Sequence, residues 1–591
     1  MTENIVFTVL QDVVFLALLM GGGWLFGRAF YRIYKGEPIF AKKLCTAAEN
    51  GIYKAMGVDP REEMSVKRYA LGILFLSGIS LIFFMAVVML QAFLAMNPEK
   101  IDGMSWHLAF NTAVSFVTNT NWQAYSGETG LSYFSQMICL TTQNFLSGAV
   151  GIAVLFALVR GFTRRQCKTI GNCWADITRI TLFMLPVSFA GALALVSQGV
   201  PQTMSGSVSY IALNGEASRL YLGPAASQII IKQLFTNGGG FFGVNSAYPF
   251  ENPTPFSNLL ECLSLLWIPV GLCFTFGKAV KNRNADGACA SETRDSAASF
   301  GKKAKALKSV GEKDQGVALL KAMTIIFLVC LAVCTAFEFI GAALPEGVKG
   351  VGNMEGKEVR FGIGASSLWA TATTAASNGS VNAMHDSFTS IGGMIPMFLM
   401  MLGEIVYGGV GCGLYGMIAF ALLTVFIAGL MVGRTPEYLG KKIGGFDMKM
   451  VCLIILTPVL CLLLGTASTV LLSSAPDWLT NGGAHGFSEI LYAFASMAGN
   501  NGSAFAGFSA DTPWTNVVGG VVMLLVRFVP MLAVLGLAGS LANKKSVPQS
   551  DGTLATNNAM FVGLLIAVVL IIGALSFFPA LALGPIAEFV G

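Results

Sequence analysis

The chain has 591 residues, of which 54% are apolar and only 12% charged, and its mean hydropathy is +0.67. Soluble domains carry about 25% charged residues, so the composition excludes a string of soluble domains and points to a multi-span membrane protein. The formal charge of +5 says little by itself, and nucleic-acid binding is excluded because no soluble basic face exists to carry it.

The first apolar run, Ile5 to Leu25, contains Asp12 but lacks a basic start and a small-residue cleavage site, so it reads as a retained span and not a signal peptide. Further spans are expected at 69–95, 131–160, 176–199, 256–278, 319–344, 391–433, 450–474, 515–541 and 557–585, the first ending near residue 28. Of the 37 Lys and Arg residues, 30 fall in five connections, at 28–68, 160–179, 278–321, 434–449 and 544–545. Lys and Arg collect in cytoplasmic loops, which predicts all five inside and both termini outside. The segment 391–433 has room for two crossings. Two crossings would put Arg434, Lys441, Lys442 and Lys449 outside, so one broken crossing is expected, with the glycines of "GEIVYGGVGCGLYG" (403–416) at the break. Twelve cysteines are scattered without a CxxC pair and read as small buried groups. The histidines His107, His385 and His485 lack ligand spacing and read as polar groups near helix ends.

Four outer connections contain a moderately apolar run too short to cross about 30 Å of hydrocarbon. These runs, at 104–117, 224–235, 366–376 and 487–498, predict half-helices. Each dissolves into a related stretch: "SFVTNTNWQ" (115–123), "LFTNGGGFFG" (234–243), "AASNGSVN" (375–382) and "GNNGSAFAG" (499–507). Asn119, Asn237, Asn378 and Asn501 align, 118, 141 and 123 residues apart, and Thr120, Gly238, Gly379 and Gly502 follow them. Repetition of this kind predicts four copies of one span–half-helix–span unit. The expected layout is a single membrane domain, 1–591. It comprises an extra helix at 5–28, repeats at 69–160, 176–278, 319–433 (with the broken span) and 450–541, a basic loop at 281–318, and a last helix at 557–585. The fold class is therefore all-α, with about ten transmembrane helices and four repeats around one pseudo-fourfold pore.

Non-helical backbone at membrane depth survives only where it is buried in protein or lines a polar path. Gly and Asn accept positive φ, so four such segments around an axis can present rings of carbonyl oxygens to a dehydrated cation. Half-helix C-termini pointing at that axis favour positive charge. Each segment is followed by an acid, Glu128, Glu251, Asp386 or Asp511, which either forms an outer mouth that concentrates cations or caps the next helix. Among charges inside apolar segments, Lys232, Glu338, Glu404 and Arg527 are functional candidates. Glu404, beside the glycine-rich break, reads as a gate or cation relay or else as half of a buried ion pair, and Lys232 either acts in transport or snorkels to the outer interface. Glu404, Gly408, Gly409, Arg434 and Lys232 make up the gating and coupling set, with Arg434 also readable as ordinary positive-inside charge.

With these residues assembled, the chain resembles the superfamily of potassium transporters with four span–half-helix–span repeats. More narrowly, it resembles the potassium-binding subunits of bacterial Kdp-type ATP-driven pumps. The resemblance rests on "SFVTNTNWQAYSGE" (115–128), "NGGGFFGVNSAYPFENPTPFSN" (237–258), "TATTAASNGSVNAMHDSF" (371–388), "GEIVYGGVGCGLYGM" (403–417), "GRTPEYLGKKI" (433–443) and "AGNNGSAFAGF" (498–508). It implies a potassium filter of Asn119, Thr120, Asn121 and Gln123; Thr236, Asn237, Gly238, Gly239 and Gly240; Ser377, Asn378, Gly379 and Ser380; and Asn500, Asn501, Gly502 and Ser503. It further implies high-affinity potassium uptake across a bacterial inner membrane, with a P-type ATPase subunit and small accessory subunits as partners. ATP and Mg would act only through that partner, since this chain has neither a DKTGT nor a GxxxxGK[ST] motif. The basic loop 281–318 receives no role from the resemblance. A passive cation channel of the same superfamily, gated by a nucleotide-binding ring, is the alternative. Parallel repeats with every half-helix on one side disfavour an inverted-repeat secondary transporter.

Overall fold

The computed structural model describes residues 5–39, 41–283, 314–341, 352–403, 405–547 and 553–591. Most of the basic loop 281–318 and Glu404 lie outside the described residues. In chain order the helices are α1 (Ile5–Tyr34), α2 (Lys42–Met56), α3 (Val66–Leu90), α4 (Trp106–Val117), α5 (Gly127–Gly130), α6 (Thr142–Thr163), α7 (Cys173–Ser197), α8 (Ala225–Leu234) and α9 (Pro255–Lys281). They continue as α10 (Gln315–Ile340), α11 (Gly362–Ala375), α12 (Ser390–Met401), α13 (Cys412–Met431), α14 (Gly445–Val470), α15 (Gly483–Ala498), α16 (Pro513–Asn543), α17 (Ala559–Leu581) and α18 (Ala587–Val590). Two small antiparallel hairpins, β1 (Val208–Ile211) with β2 (Ala217–Leu220) and β3 (Glu437–Tyr438) with β4 (Lys441–Lys442), lie in connections.

Ten of these helical segments are long and apolar enough to cross a membrane: α1, α3, α6 with the turn before it, α7, α9, α10, α13, α14, α16 and α17 with its continuation. The half-helices α4, α8, α11 and α15 have 12, 10, 14 and 16 residues. At 1.5 Å per residue none spans about 30 Å of hydrocarbon. The last two begin earlier than their apolar runs, at Gly362 and Gly483, because glycines interrupt the run in "GIGA" and glycines with His485 do so in "GAHG". The crossing after α11 consists of α12, a non-helical stretch, and α13.

A hydroxyl caps the start of the helix that follows each returning segment. Ser135 N–H donates to Ser132 Oγ at 3.2 Å, Ser257 N–H to Thr254 Oγ1 at 3.1 Å, Gly392 N–H to Thr389 Oγ1 at 3.1 Å, and Thr515 N–H to Thr512 Oγ1 at 3.2 Å. Such N-caps satisfy an orphan donor and stabilise by about 1 kcal/mol each. The matching strings "TPFSN" (254–258) and "TPWTN" (512–516) show the repetition in sequence.

The helix α6 sits at the centre and is almost wholly buried, whereas α1 and α7 are largely exposed at the outside of the bundle. The extra helix α1 packs along α9, where Gly27 lies against Gly271 and Phe26 stacks on Trp267 at 5.9 Å. Small residues allow this approach, as is usual between membrane helices. Cys139, Cys173, Cys262, Cys273, Cys330, Cys334 and Cys461 are buried thiols among apolar neighbours. Cys167 departs from the sequence expectation in being disulfide-bonded.

Candidate ion-binding site

All four half-helices end in the same way. Thr120 N–H bonds to Ser115 O at 2.9 Å, Asn237 N–H to Lys232 O at 2.8 Å, Asn378 N–H to Thr373 O at 3.1 Å, and Asn501 N–H to Ser496 O at 2.8 Å. This is the six-to-one bond of a Schellman termination, which needs a left-handed residue just before the donor. Those residues are Asn119 (φ 65°), Thr236 (φ 49°), Ser377 (φ 52°) and Asn500 (φ 52°). Positive φ costs a non-glycine residue about 1–3 kcal/mol, and a β-branched Thr is a true outlier. The backbone thus corrects the alignment by one residue in the first segment. Thr120 is the counterpart of Asn237, Asn378 and Asn501, and Asn121 stands where the others have Gly238, Gly379 and Gly502. Side-chain identity had aligned Asn119 with the other asparagines, whereas the conformation aligns it with Thr236.

The four segments close into a ring. Asn119 Nδ2 donates to Thr236 O (3.0 Å) and Asn237 Nδ2 to Asn119 Oδ1 (2.6 Å), joining the first segment to the second. Gly379 N–H donates to Asn237 O at 3.1 Å, joining second to third. Ser377 Oγ donates to Gly499 O (3.1 Å) and Asn501 Nδ2 to Thr373 O (3.1 Å), joining third to fourth. Asn500 Nδ2 donates to Thr120 Oγ1 at 2.9 Å, returning to the first. At the shared glycine level the strands touch backbone to backbone: a Cβ on Gly238 would strike Gly379, one on Gly379 would strike Gly502, and one on Gly502 would strike the Thr120 carbonyl. Asn121 takes the fourth place with φ 56°. Two fully buried acceptors in this ring, Asn121 Oδ1 and Asn237 Oδ1, meet no donor among the described residues. A buried oxygen without a proton donor calls for an ion or water.

A second layer holds the strands. Gln123 forms a two-point clamp on Gly240, accepting from its N–H (2.8 Å) and donating to its carbonyl (3.1 Å). Asn245 Nδ2 donates to Gly238 O at 2.6 Å, while its Oδ1 accepts from Lys232 Nζ at 2.6 Å. The Thr373 hydroxyl lies 2.6 Å from Asn378 O and 2.7 Å from Ser380 O. Gly239 lies against Phe116 and Asn121. Ser147 Oγ donates to Asn119 Oδ1 at 2.8 Å, and Gln233 Oε1 accepts from Ser380 Oγ at 2.9 Å. Asn245, Gln233 and Ser147 escape a reading by motif because single polar residues carry no periodic signal.

Two expectations about charge are corrected. Lys232 does not reach an interface: it and Glu251 form a 2.6 Å ion pair with both side chains fully buried, and Glu251 Oε1 also accepts from Phe242 N–H at 2.9 Å. Glu251 therefore belongs to no water-facing mouth. Glu128 is half-buried and accepts from Gly243 N–H at 2.7 Å, Asp386 is buried, and only Asp511 is exposed, bonded to Asn516 Nδ2 at 2.8 Å. Three of these acids tie loops to neighbouring segments, because their carboxylates answer local donors. Glu338 likewise pairs with Lys357 at 2.7 Å, both side chains fully buried.

Beneath the ring lies the break between α12 and α13. Gly403, Tyr407, Gly408 and Gly411 all have positive φ. Gly408 N–H bonds to Ala375 O at 2.9 Å, Gly409 lies against Ser377, and Val410 N–H bonds to Thr236 Oγ1 at 3.0 Å. A cavity bounded by Ser377, Asn500, Gly403, Ile405, Tyr415 and Arg527 opens next to this stretch. The guanidinium of Arg527 donates to Ser147 O at 3.2 Å. Arg434 is exposed beyond the far end of α13, about 30 Å along the helix from the break.

On the filter side, His485 lies 2.9 Å from Asp386 and 3.0 Å from Glu588, one carboxylate at each ring nitrogen. Asp386, His485 and Glu489 also offer ligand atoms within 4.8 Å of one another. Glu489, however, accepts from Thr480 and Asn481, and two carboxylates at one imidazole call for a proton on each nitrogen. The Asp386 and Glu588 contacts push the His485 imidazole up to about 10. A pKa raised above its unfolded value near 6.5 gives stability that is complete below that value and lost as pH rises toward about 10. Melting of the detergent-solubilised protein should therefore fall in temperature from pH 7 to 10, and His485→Gln should flatten that slope. A parallel slope in the variant would exclude this origin.

Among the described residues, ten apolar spans around a closed ring of four re-entrant segments define a multi-pass membrane protein of the span–half-helix–span class. A family profile described as the potassium-transporting ATPase A subunit matches residues 13–291 and 300–590. The chain is 55% identical over 585 residues to a protein of Listeria monocytogenes named potassium-transporting ATPase potassium-binding subunit, covering 99% of both chains. It is 54% identical over 600 residues to one of the same name in Clostridium botulinum, covering 98% of each. Among solved structures it is similar to the potassium transporter TrkH from Vibrio parahaemolyticus, with 15% identity, a TM-score of 0.49, and coverage of 80% of this chain and 85% of that one. The chain belongs to the family of potassium-transporting ATPase A subunits.

Proposed function

We propose that the chain is the channel-like, potassium-binding subunit of an ATP-driven uptake pump in a bacterial inner membrane, with both termini outside. The carrying observation is the closed ring of four Schellman-terminated segments, with Asn121 Oδ1 and Asn237 Oδ1 meeting no donor among the described residues. Potassium is the cargo: it enters from the outside, loses water against the carbonyls at Asn119–Gln123, Thr236–Gly240, Ser377–Ser380 and Asn500–Ser503, and is drawn there by four half-helix C-termini. Carbonyl rings suit a weakly hydrated monovalent cation. The first segment, with Asn121 where the others have glycine, makes the ring unequal, which favours holding one ion tightly over rapid flow of several.

The turn at 408–411, packed against Ala375, Ser377 and Thr236, and the charge of Arg527 oppose passive passage below the ring. Energy reaches the site through a P-type ATPase subunit, which binds ATP and Mg, with small accessory subunits completing the complex. Comparing ATP-dependent potassium uptake by vesicles holding the chain alone with vesicles holding the co-purified complex tests this reading. Uptake only by the complex is expected; ATP-independent flux through the chain alone would refute it. Within the ring, Gly239→Asp puts a carboxylate against Phe116 and Asn121. It should weaken potassium affinity and relax discrimination against rubidium and ammonium, and unaltered values in an uptake assay would refute the filter assignment.

A further inference from the structure

The third and fourth strands share an Asn-Gly-Ser core, but their serines are anchored differently. Ser380 Oγ donates to Gln233 Oε1 at 2.9 Å, and Gln233 in turn donates to Glu261 at 2.9 Å. Ser503 Oγ instead lies 2.5 Å from Asn501 Oδ1 and 2.8 Å from Tyr492 OH, and Tyr492 OH lies 2.7 Å from His385 Nδ1. Asn501, Ser503 and Tyr492 are fully buried and His385 is 1% exposed.

The direction of every proton in this chain follows from its inner end. Asn501 Nδ2 donates to Thr373 O, and Asn501 Oδ1 accepts from Ser503 N–H at 2.9 Å, so Oδ1 is an acceptor. The Ser503 hydroxyl donates to it, which leaves the serine oxygen to accept from Tyr492 O–H. The tyrosine oxygen then accepts from His385 Nδ1–H. His385 is thus the neutral Nδ1–H tautomer, and its buried Nε2 meets no donor among the described residues. Burial, assisted by the positive charge of Lys357, pushes this imidazole down to about 3, consistent with the neutral ring. The rings are fixed as well: Tyr492 stacks on Phe505 at 4.6 Å, and Phe505 stacks on His485 at 5.8 Å. The relay ends on the Asn501 side-chain amide, and the backbone carbonyl of the same residue lies against Gly379 in the ring.

We propose that His385 and Tyr492 are positioning residues that orient the fourth strand and thereby set discrimination among monovalent alkali cations at the ring. The proposal rests on the ring being the potassium filter. Tyr492→Phe keeps the stacked ring and deletes the proton given to Ser503. In the assembled complex it should weaken apparent potassium affinity on the order of 10-fold, the effect of one lost buried hydrogen bond, and lower the potassium-over-rubidium preference. His385→Phe should act in the same direction. His385→Asn, whose amide N–H stands near the place of Nδ1, should restore most of the preference.

Gly239→Asp measured alongside separates the two claims. If it relaxes selectivity while Tyr492→Phe and His385→Phe keep both affinity and preference, the positioning role is overturned and the filter stands. If Gly239→Asp also changes nothing, the filter reading itself fails. A fall in transport with an unchanged potassium-over-rubidium ratio also overturns the proposal, because it marks a merely structural role. Should Tyr492→Phe not assemble, His385→Phe against His385→Asn decides the matter through the same ratio.

Discussion

Replacing Gly502 by alanine is expected to cost the protein its high-affinity potassium binding while leaving it folded. The residue has φ 95°, and a Cβ there would run into the Thr120 carbonyl and the peptide of Asn121. Neither neighbour is the movable end of a side chain, so the strand must shift. A residue forced into this region carries a penalty of about 3 kcal/mol at the upper end, which converts to roughly 100-fold in affinity. The displacement falls on the ring that Gly238, Gly379 and Gly502 close together, so the loss should appear in the potassium concentration for half-maximal uptake. Gly563→Ala is the control: that glycine lies within α17 with no atom near its missing Cβ. Alanine there should favour the helix by about 0.5–1 kcal/mol and leave uptake unchanged. Half-maximal uptake within a factor of two of wild type for Gly502→Ala would show that ring geometry does not set affinity.

Gly502 also marks how far the sequence carries. Its place at a backbone break was legible because glycine after asparagine, at the end of an apolar run too short to span, cannot continue a helix. The spans were legible too, since their hydropathy depends on composition alone. The conformation of Thr236 was not: a β-branched residue at φ 49° contradicts local preference and exists only because the six-to-one bond and Val410 N–H enforce it. The register of the first segment failed for the same reason, because letters aligned Asn119 with Asn237 whereas backbone state aligns it with Thr236. The acids misled in another way. Glu251 and Asp511 occupy comparable places in sequence, yet one is sealed against Lys232 and the other is bathed in solvent. Which partner a charge finds across the fold is a tertiary fact that spacing does not encode.

That sealed pair gives the second large effect. Lys232→Met leaves the Glu251 carboxylate buried with, among the described residues, only Phe242 N–H to answer it, and Asn245 loses the ammonium that fixes its amide. Removing one partner of a buried ion pair costs about 3–5 kcal/mol. Because Asn245 holds Gly238 O at 2.6 Å, part of that cost should appear as weakened potassium affinity and part as a lower melting temperature. Glu251→Gln should do less harm, since its amide oxygen still accepts from Phe242 N–H. The double variant Lys232→Met with Glu251→Gln removes both charges and should recover more than half of the stability lost in Lys232→Met, a coupling that a double-mutant cycle measures directly. Recovery also separates two roles for Lys232. A clamp restored in stability regains affinity and uptake together, because the strand needs only its anchor. A charge that moves during gating would leave the double variant stable, able to bind potassium, and unable to transport it. The geometry, with both groups fully buried and Asn245 bridging to the ring, predicts the first outcome, and a stable double variant with normal binding and no uptake would establish the second.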